Sequence, residues 1–439
     1  MFVKDGFLLF RCYAPFIFVN KLKNINKKKL IRVTTADISL DGLLKGQLKY
    51  LNQYFEVVGL SSDTGSLKQV EEREGIRTIA VPMHREISLK NDVLCLIRLI
   101  QVFRREKPFV VHSNTPKGSF LSMLAAKLCG VSHRIYTVTG LRYQGTTGLL
   151  RLILKMVERL TCYCANKVVP EGNGVLHTLK VDKITSKPLS VLHHGNINGI
   201  DISYFSREET VRKLIEENIE LKANPISKVD GKSYIRTMIG FSDMDFVFIF
   251  IGRIVRDKGI VELVHALEQL VALKMKLRPK LLLVGRFESA LDPLPENIMK
   301  FLKENEDVKF VGYQKDVRPY LLAADALVFP SYREGFPNVP IQAGAMDLAS
   351  IVTDINGCNE IVIEGVNGKI IQAPLDRNGN PVYSEDMENA LYNVMKWMLG
   401  HHEEVTRMSR NCRKLITSRY DQKDVWNSLL KMYKSLDNE

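Results

Sequence analysis

The feature that most constrains this chain is a repeated alternation of short apolar runs with amphipathic segments of helix length. From residue 30 the runs LIRVTTA, FEVVGLSS, IRTIAVPM, FVVHSN and HRIYTVTG are separated by segments such as GLLKGQLKYLNQ and SFLSMLAAKLCG. Nearly continuous apolar strands that alternate with helices are typical of parallel sheets covered on both faces. We therefore predict an α/β fold built on doubly wound parallel sheets.

The alternation occurs in two series, which predicts two domains. It breaks over residues 203–240, a polar helix-forming stretch, and restarts with DFVFIFIG, KLLLVG, VKFVG, ALVFPS and ASIVTD. A chain of 439 residues is also long for a single core. We predict two tandem Rossmann-like domains whose sheets face a cleft, because open α/β sheets bind ligands at the carboxyl ends of their strands. The predicted parts are a leader at 1–28, a first domain at 29–202, a linker or insertion at 203–240, a second domain at 241–385 and a helical segment at 386–439.

The positive charge of the chain is concentrated in its first half. Residues 1–200 hold 30 Lys and Arg against 14 Asp and Glu, whereas residues 201–439 hold 32 against 35. A basic half is attracted to nucleic acid, to an anionic membrane or to a phosphate-rich substrate. The sequence has no RNP-like aromatic motif, zinc finger or Lys/Arg-rich tail, so we expect no nucleic-acid partner. A membrane surface or a phosphate-rich substrate is favoured, and a merely soluble basic surface is the alternative.

Two further features bear on location. The seven cysteines are scattered and odd in number, which favours a reducing compartment over a disulfide framework. The apolar segment at 6–19, GFLLFRCYAPFIFV, is too short to span a bilayer and lacks the flanks of a signal peptide. Followed by KLKNINKKK, it could lie on a membrane surface or be a disordered leader. We expect a cytoplasmic protein that is peripheral on the inner face of the cytoplasmic membrane.

The loop after DFVFIFIG carries the residues of an anion site. Gly252 and Arg253 end this strand, and Lys258 and Gly259 precede the next helix. Backbone N–H groups at a helix N-terminus attract phosphate, and two cations would neutralise it. Spacing alone leaves open that both cations are simply solvated. The sequence contains no P-loop motif, which disfavours ATP hydrolysis of that type.

Asp243 and Asp245 have the spacing of the DxD pair that holds a metal ion and a nucleoside diphosphate. They precede the strand DFVFIFIG, however, whereas a substrate-facing loop of a parallel sheet follows its strand. We interpret them as turn residues at the entry to the strand.

The order of these motifs resembles the second domain of the GT-B glycosyltransferases of family 4. The resemblance rests on FIGRIVRDKGIVELVHAL, LLLVG and VKFVGYQKDVRPYLLAADALVFPSYREGFPNVPIQA, within residues 245–375. The first domain is similar more loosely, through VLHHGNINGID, VVHSNTPKGSFLSMLAAKLCG and RIYTVTGLRY. Within the family the chain is similar to enzymes that build capsules, exopolysaccharides and lipid-linked oligosaccharides in bacteria. The resemblance implies a hexosyltransferase that moves a sugar from a nucleotide-sugar, with a UDP-sugar favoured, to a polyprenyl-diphosphate-linked or other glycan.

The resemblance also implies donor contacts in the stretch SYREGFPNVPIQAGA. The family has two glutamates there, separated by seven residues: Glu334 matches the first, beside the sugar hydroxyls, and Gln342 replaces the second, which accepts hydrogen bonds from ribose. A glutamine keeps one acceptor oxygen but loses the strength of a charge-assisted bond, so ribose binding and not transfer is affected. We predict Glu334, Arg253 and Lys258 as catalytic residues. The predicted donor-binding residues are Gly252, Gly312, Phe336, Pro337, Asn338 and Gln342, with Pro337 in the first turn of a helix whose N–H groups point at the donor.

Acceptor contacts are expected in the first domain. Relatives often have a His before the glycine that matches Gly140, but Thr139 occupies this position, so that role cannot be transferred. The predicted acceptor-binding residues are Gly42, His112, Lys117 and Arg142, with Arg134 as a further candidate for a diphosphate contact.

The expected chemistry is metal-independent and retains the anomeric configuration. Without a credible DxD pair, Arg253, Lys258 and the helix N-terminus would neutralise the departing nucleoside diphosphate. Retention is implied by the resemblance, with front-side attack and no protein nucleophile. We expect neither a cofactor nor a metal ion. The alternatives are a nucleotide-sugar epimerase of the same fold and a non-catalytic nucleotide-sugar binding protein.

Overall fold

The computed structural model describes residues 27–84, 88–217, 231–288, 292–376 and 382–438. The apolar segment at 6–19 lies outside these ranges. The first sheet has six parallel strands in the spatial order β3-β2-β1-β4-β5-β6. The strands are β1 (Lys29–Ala36), β2 (Glu56–Ser62), β3 (Arg77–Ala80), β4 (Val110–Ser113), β5 (His133–Val138) and β6 (Lys167–Pro170).

Helices cover both faces of this sheet, because the chain winds outward from β1 in two directions. The helices that follow β1 and β2 share one apolar core, and those that follow β3, β4 and β5 share another. The first group is α1 (Asp37–Leu43), α2 (Gln47–Leu51) and α3 (Leu67–Glu74); the second is α4 (Leu89–Glu106), α5 (Pro116–Leu128) and α6 (Gly148–Cys164), and α7 (Asn173–Val181) follows β6. Buried Val, Ile and Leu fill the strands, as both faces of the sheet are covered.

The second sheet repeats this topology, with the order β12-β11-β10-β7-β8-β9. Its strands are β7 (Asp245–Ile251), β8 (Arg278–Val284), β9 (Val308–Phe310), β10 (Ala326–Phe329), β11 (Ala349–Thr353) and β12 (Gly368–Ile371). Both sheets therefore have the doubly wound order in which the direction of winding reverses, between β1 and β4 and between β7 and β10. The predicted fold class is confirmed. Ligands of such sheets bind at the reversal point, beyond the carboxyl ends of the strands.

The polar break between the two series is helical where it is described. It contributes α8 (Arg207–Glu217) and α9 (Gly231–Ile239), which pack against the helix Arg318–Ala323 of the second domain. The helices between the strands of this domain are α10 (Ile260–Ala272), α11 (Glu296–Glu304), α12 (Arg318–Ala323), α13 (Asn338–Ala345) and α14 (Cys358–Ile361).

The C-terminal helical segment divides between the two domains. Helices α15 (Glu385–Gly400) and α16 (His402–Tyr420) pack on α10 and α13 of the second domain. Helix α17 (Gln422–Ser435) instead joins the core of the first domain, with Leu429, Leu430 and Tyr433 buried beside β1 and α2. Within the described ranges, none of the helices has both the length and the apolar composition needed to cross a membrane.

Candidate active site

Two of the predicted catalytic residues meet at the reversal point of the second sheet. The ammonium of Lys258, which follows β7, donates to Oε1 of Glu334, which follows β10, over 2.7 Å. It also donates to the Ser331 hydroxyl at 3.2 Å and to the carbonyl of Arg333 at 3.1 Å. Lys258 is buried, whereas a fifth of the Glu334 side chain is exposed. The lysine thus holds the carboxylate in one orientation at the edge of the cleft.

A close approach of two loops makes this pairing possible. Gly259, which precedes α10, has a φ of +69°, and a β-carbon there would lie 2.1 Å from the carbonyl oxygen of Pro330. The loop after β7 can therefore lie directly on the loop after β10 only because residue 259 has no side chain. The backbone N–H of Tyr332 then donates to the carbonyl of Asp257 at 2.9 Å and joins the loops.

Arg253 lies at the same edge of the sheet as Lys258. Its guanidinium donates to Oε2 of Glu288, which follows β8, over 2.9 Å, and nearly half of its side chain is exposed. The charge of Glu334 acts on Arg253 as well. The three residues predicted as catalytic therefore belong to one electrostatic cluster, in which both cations already have acidic partners.

Glycines end three neighbouring strands beside this cluster. Gly252 follows β7 and donates its N–H to Val284 at 3.0 Å, while Gly285 follows β8 and donates to the carbonyl of Gly312 at 2.9 Å. The predicted donor-binding residues Gly252 and Gly312 thus lie beside Gly285, and at all three positions the backbone carries no side chain. Gly285 was not predicted, although a glycine directly after the apolar run LLLV is the same pattern that pointed to Gly252.

Helix α13 brings two predicted donor contacts to a groove between the domains. Pro337 occupies the N-cap position of this helix, one residue earlier than predicted, and the helix begins at Asn338. Asn338 and Gln342 are four residues apart and share one face of the helix. Both line a groove of about 520 Å³, together with Gly42 from the first domain and Lys315 after β9. The structure therefore brings Gly42, which we assigned to the acceptor, next to two residues assigned to the donor.

Phe336 does not face this groove. Its side chain is 7% exposed and lies against Gly172 and Gly195 of the first domain, and its ring centroid is 5.7 Å from that of Tyr420. The side chain fills the contact between the domains, because Gly172 and Gly195 leave room for a ring, and the contact of Phe336 with the donor stays a prediction.

The loop that carries Glu334 touches the first domain directly. A β-carbon at Gly335 would lie 1.9 Å from the carbonyl oxygen of Thr139 and 3.4 Å from the α-carbon of Gly140. Thr139, which takes the position of the family histidine, donates its hydroxyl to the carbonyl of Asn114 at 2.6 Å. Glu334 therefore lies beside the end of β5, where the resemblance places the acceptor.

One of the predicted acceptor contacts, His112, is buried in the first domain. His112 is 1% exposed: Nε2 shares a hydrogen bond of 2.7 Å with the Thr137 hydroxyl, and Nδ1 contacts Arg32 and the Tyr433 hydroxyl of α17. Burial and the nearby Arg32 charge lower the pKa of His112, so its ring is neutral at pH 7. This placement does not present His112 to an acceptor in the cleft.

Two of the three basic candidates, Lys117 and Arg142, follow the carboxyl ends of β4 and β5, whereas Arg134 does not. Lys117 begins α5 and forms an ion pair of 2.6 Å with Asp92, and Arg142 is exposed in the short turn after β5. Arg134 is at the amino end of β5, where it donates to the carbonyl of Cys164 at 2.7 Å. The suggested diphosphate contact of Arg134 is therefore wrong, because the residue lies at the edge of the sheet opposite the cleft.

The DxD-like pair is also at the opposite edge. Asp245 begins β7, is buried, and pairs with Arg278 at 2.9 Å and with the N–H of Ser242 at 2.7 Å. Its interpretation as a turn residue at the strand entry agrees with this position. The described part of the chain contains no group of three or more His, Cys, Asp or Glu side chains placed to hold a metal ion.

A carboxylate that no motif signalled connects the two domains. Glu360 of α14 accepts hydrogen bonds from the backbone N–H groups of Asn173 at 2.7 Å and Gly174 at 3.0 Å, at the start of α7. Asn196 of the first domain donates to Oδ1 of Asn338 at 2.8 Å. Glu360 and Asn173 are 187 positions apart in the chain, and Asn338 and Asn196 are 142 positions apart. Sequence spacing could not indicate either contact.

Comparisons with known proteins agree with this geometry. The family model described as "Glycosyl transferases group 1" matches residues 245–379, and the one described as "Glycosyl transferase 4-like" matches residues 42–171. The chain is 27% identical to the capsular polysaccharide biosynthesis glycosyltransferase CapM of Staphylococcus aureus, over 94% of this chain and 99% of CapM. It is 26% identical to the UDP-Gal:alpha-D-GlcNAc-diphosphoundecaprenol alpha-1,3-galactosyltransferase of Escherichia coli, over 84% of this chain and 86% of that enzyme.

Solved structures share the whole fold. Anabaena HepE in complex with UDP superposes with a TM-score of 0.71 at 16% identity, over 93% of this chain and all of HepE. WaaG, a glycosyltransferase involved in lipopolysaccharide biosynthesis, superposes with a TM-score of 0.64 at 14% identity, over 91% of this chain and 98% of WaaG. With both domains matched in sequence and in fold, and with the Lys258–Glu334 pair at the reversal point of the second sheet, this chain belongs to the GT-B glycosyltransferases of family 4.

Proposed function

We propose that the protein transfers a sugar, with retention of configuration, from a UDP-sugar to a polyprenyl-diphosphate-linked glycan during synthesis of a bacterial surface polysaccharide. The observation that carries this proposal is the pair formed by Lys258 and Glu334 above the three strand-ending glycines. Support for the donor comes from HepE, whose structures contain UDP and UDP-glucose. Support for the acceptor comes from the E. coli relative, whose name specifies a sugar on diphosphoundecaprenol.

In the proposed reaction the acceptor hydroxyl attacks the anomeric carbon on the face that the nucleoside diphosphate leaves. The new bond joins the acceptor oxygen to this carbon, the electron pair of the broken bond goes to the diphosphate, and the hydroxyl proton follows it. Arg253 and Lys258 neutralise the departing charge without a metal ion, since charge-assisted donors are strong where solvent is largely excluded. Glu334 accepts hydrogen bonds from the sugar hydroxyls and so fixes the orientation of the anomeric carbon.

The groove lined by Asn338, Gln342 and Lys315 is proposed to hold the nucleoside. The amide oxygen of Gln342 would accept a hydrogen bond from ribose, in place of the family carboxylate. Gly42 would leave room for the donor at the opposite wall of the groove. Lys117 and Arg142 are proposed to meet the acceptor diphosphate, since both lie beyond the carboxyl ends of β4 and β5. The reaction would take place at an anionic membrane surface on the cytoplasmic side, where the basic first domain is attracted.

A screen of labelled nucleotide-sugars with undecaprenyl-diphosphate-linked acceptors tests the proposal. We expect label to enter the lipid fraction with one donor, and the linkage of the product, read from the anomeric coupling constant, to match the donor. Activity should persist in excess chelator. Conversion of the nucleotide-sugar without an acceptor would identify an epimerase, binding without turnover would identify a binding protein, and a strict requirement for Mg²⁺ or Mn²⁺ would contradict the metal-independent step.

A further inference from the structure

Helix α6 has its polar and apolar faces reversed relative to an ordinary surface helix. Its buried side contains Glu158, whose carboxylate accepts a hydrogen bond from the Tyr136 hydroxyl at 2.8 Å. Its outer side exposes a stripe of large apolar side chains at helical spacing: Leu149, Leu152, Met156, Leu160 and Tyr163. Leu152 is 61% and Met156 is 67% exposed. Surface helices normally turn such residues inward, so a continuous exposed stripe marks a binding surface.

Helix α4 extends this surface on the other side of α5. It exposes Leu89, which is 82% accessible, together with Val93 and Ile97 at intervals of four residues, and Leu94 beside them. Both helices pack against α5, so they lie on the same face of the first sheet. The α4/α6 face, defined as the exposed apolar side chains of these two helices, is therefore a single surface of the first domain.

Basic side chains flank the apolar stripes. Lys90 and Arg98 follow one edge of α4, and Arg151, Lys155 and Arg159 follow one edge of α6. Helices α4, α5 and α6 together contain nine Lys or Arg and three Asp or Glu. The three acids are already engaged: Asp92 pairs with Lys117, Glu106 with Lys29 and Arg77, and Glu158 with Tyr136. Asp182, just after α7, pairs with Lys155 at 2.7 Å, and with it the count is nine cations against four acids, so the apolar side chains still lie in a positive field.

We infer that the α4/α6 face docks on an anionic lipid bilayer, with the leucine and methionine side chains entering the interfacial region and the flanking cations contacting lipid headgroups. This inference deepens the proposed function by assigning its membrane contact to a surface. Apolar side chains bordered by Lys and Arg are the composition of segments that lie in a membrane interface. A second copy docked on the same face would place two positive surfaces against each other, which disfavours self-association.

The position of this face suits an acceptor held in the membrane. Helices of a parallel α/β sheet begin at the carboxyl ends of the strands, so Leu89 and Leu149, in the first turns of α4 and α6, lie on the cleft side of the domain. Arg142 is exposed in the turn just before α6. A bilayer on the α4/α6 face would therefore adjoin the end of the domain that carries the proposed diphosphate contacts.

The test measures binding of the full-length chain to vesicles without any substrate, so that it does not depend on transfer. Co-sedimentation with phosphatidylglycerol vesicles compares wild type with Leu152→Glu combined with Met156→Glu. The matched control is Met238→Glu combined with Met244→Glu, two methionines of the second part of the chain that are 65% and 54% exposed. We expect at least a tenfold loss of binding for the α6 variant and less than a twofold loss for the control. A second variant, Lys90→Glu with Arg98→Glu, should weaken binding in low salt and reduce its dependence on salt.

Several outcomes would overturn the inference. The inference is wrong if the α6 variant and the control lose vesicle binding equally, or if neither loses it. It is also wrong if vesicle binding is lost only when residues 1–26 are deleted. A wild-type dimer in light scattering that the α6 variant converts to a monomer, without vesicle binding, would assign the face to a second copy. A separate assay, sugar transfer to a short-chain acceptor in solution, distinguishes the two proposals. If the wild type shows no transfer, the proposed function is wrong, whereas the docking surface is still tested by vesicle binding.

Discussion

Glu334 is the residue whose replacement should separate function from stability. Its carboxylate accepts hydrogen bonds from Lys258 and Ser331 in a partly exposed loop, so little core packing depends on it. We expect Glu334→Gln to lower kcat/KM for transfer by roughly 100-fold, because one preorganised polar contact to the reacting sugar is lost. Thermal stability should fall only modestly, because the buried ammonium of Lys258 loses a charged acceptor but keeps the Ser331 hydroxyl, the Arg333 carbonyl and the amide oxygen at position 334.

The control for this prediction is Glu288→Gln, which removes a carboxylate from the neighbouring loop that contacts Arg253. It should change kcat/KM by less than about threefold, as expected for an exposed ion pair. If both variants were equally active, the assignment of Glu334 to the reacting sugar would be wrong.

Gln342 offers a second test at the scale of one residue. Gln342→Glu would restore a carboxylate at the groove, and a charge-assisted bond to ribose is stronger than a neutral one. We expect UDP to bind about fivefold more tightly, equivalent to about 1 kcal/mol, as measured by calorimetry. Gln342→Leu, which keeps the size but removes the acceptor, should bind UDP more weakly than wild type. Tighter binding in the leucine variant would place the ribose elsewhere.

At the scale of one element, helix α6 should make the stability of the first domain depend on pH. Burial raises the pKa of Glu158 to about 7, above its ordinary value of 4.5. Between these values the folded chain binds more protons than the unfolded chain, so stability falls as pH rises and the full loss is reached above pH 7. The shift corresponds to about 3 kcal/mol.

Glu158→Gln should remove this dependence, because an amide cannot ionise yet still accepts the hydrogen bond of Tyr136. Urea unfolding at pH 5 and pH 8 measures the effect: relative to wild type, the variant should gain about 3 kcal/mol between the two values. Glu304→Gln, an exposed carboxylate of α11, is the control for loss of a negative charge. A wild type and a Glu158→Gln variant with parallel pH profiles would contradict the prediction.

At the scale of the whole molecule, Glu360 is a contact that holds the two domains together. Its carboxylate caps the N-terminus of α7 across the domain boundary, where backbone N–H groups have no partner within the helix. Glu360→Gln leaves one acceptor for two donors and should cost about 1 kcal/mol of stability. We also expect the radius of gyration from X-ray scattering to increase slightly as the domains separate more often. If the variant were less stable but had an unchanged radius of gyration, Glu360 would stabilise only its own surroundings and would not hold the domains together.

Helix α17 also connects the domains, since it follows two helices of the second domain and lies in the core of the first. Its Tyr433 hydroxyl accepts a hydrogen bond from Arg32 at 2.9 Å and contacts His112. The chain thus crosses between the domains twice, and any relative motion of the domains has to change the backbone conformation at both crossings. This arrangement explains why the helical segment after residue 385 cannot be assigned to one domain.

The sequence by itself determined the architecture and the centre of the candidate site. Apolar runs at strand spacing specify buried parallel strands, and parallel strands place the residues that follow them at one edge of the sheet. Arg253, Lys258 and Glu334 each lie in the loop after such a run, so local pattern and the topology that it implies place them at one edge, while the family resemblance implied the role of Glu334. Gly252 and Gly312 were found for the same reason, and Gly285 could have been.

Only the tertiary structure decided the contacts between distant segments. His112 and Tyr433 are 321 residues apart, and the burial of His112 depends on where α17 packs. Phe336 has the sequence position of a ligand contact, yet it is buried because two glycines of the other domain leave space for its ring. The helical period of the apolar residues in α6 predicts a helix. It does not predict which side of the helix is buried, because that depends on which other elements pack against it. Local pattern therefore determines elements and strand ends, whereas burial and pairing across the domains depend on the free energy of the whole packed chain.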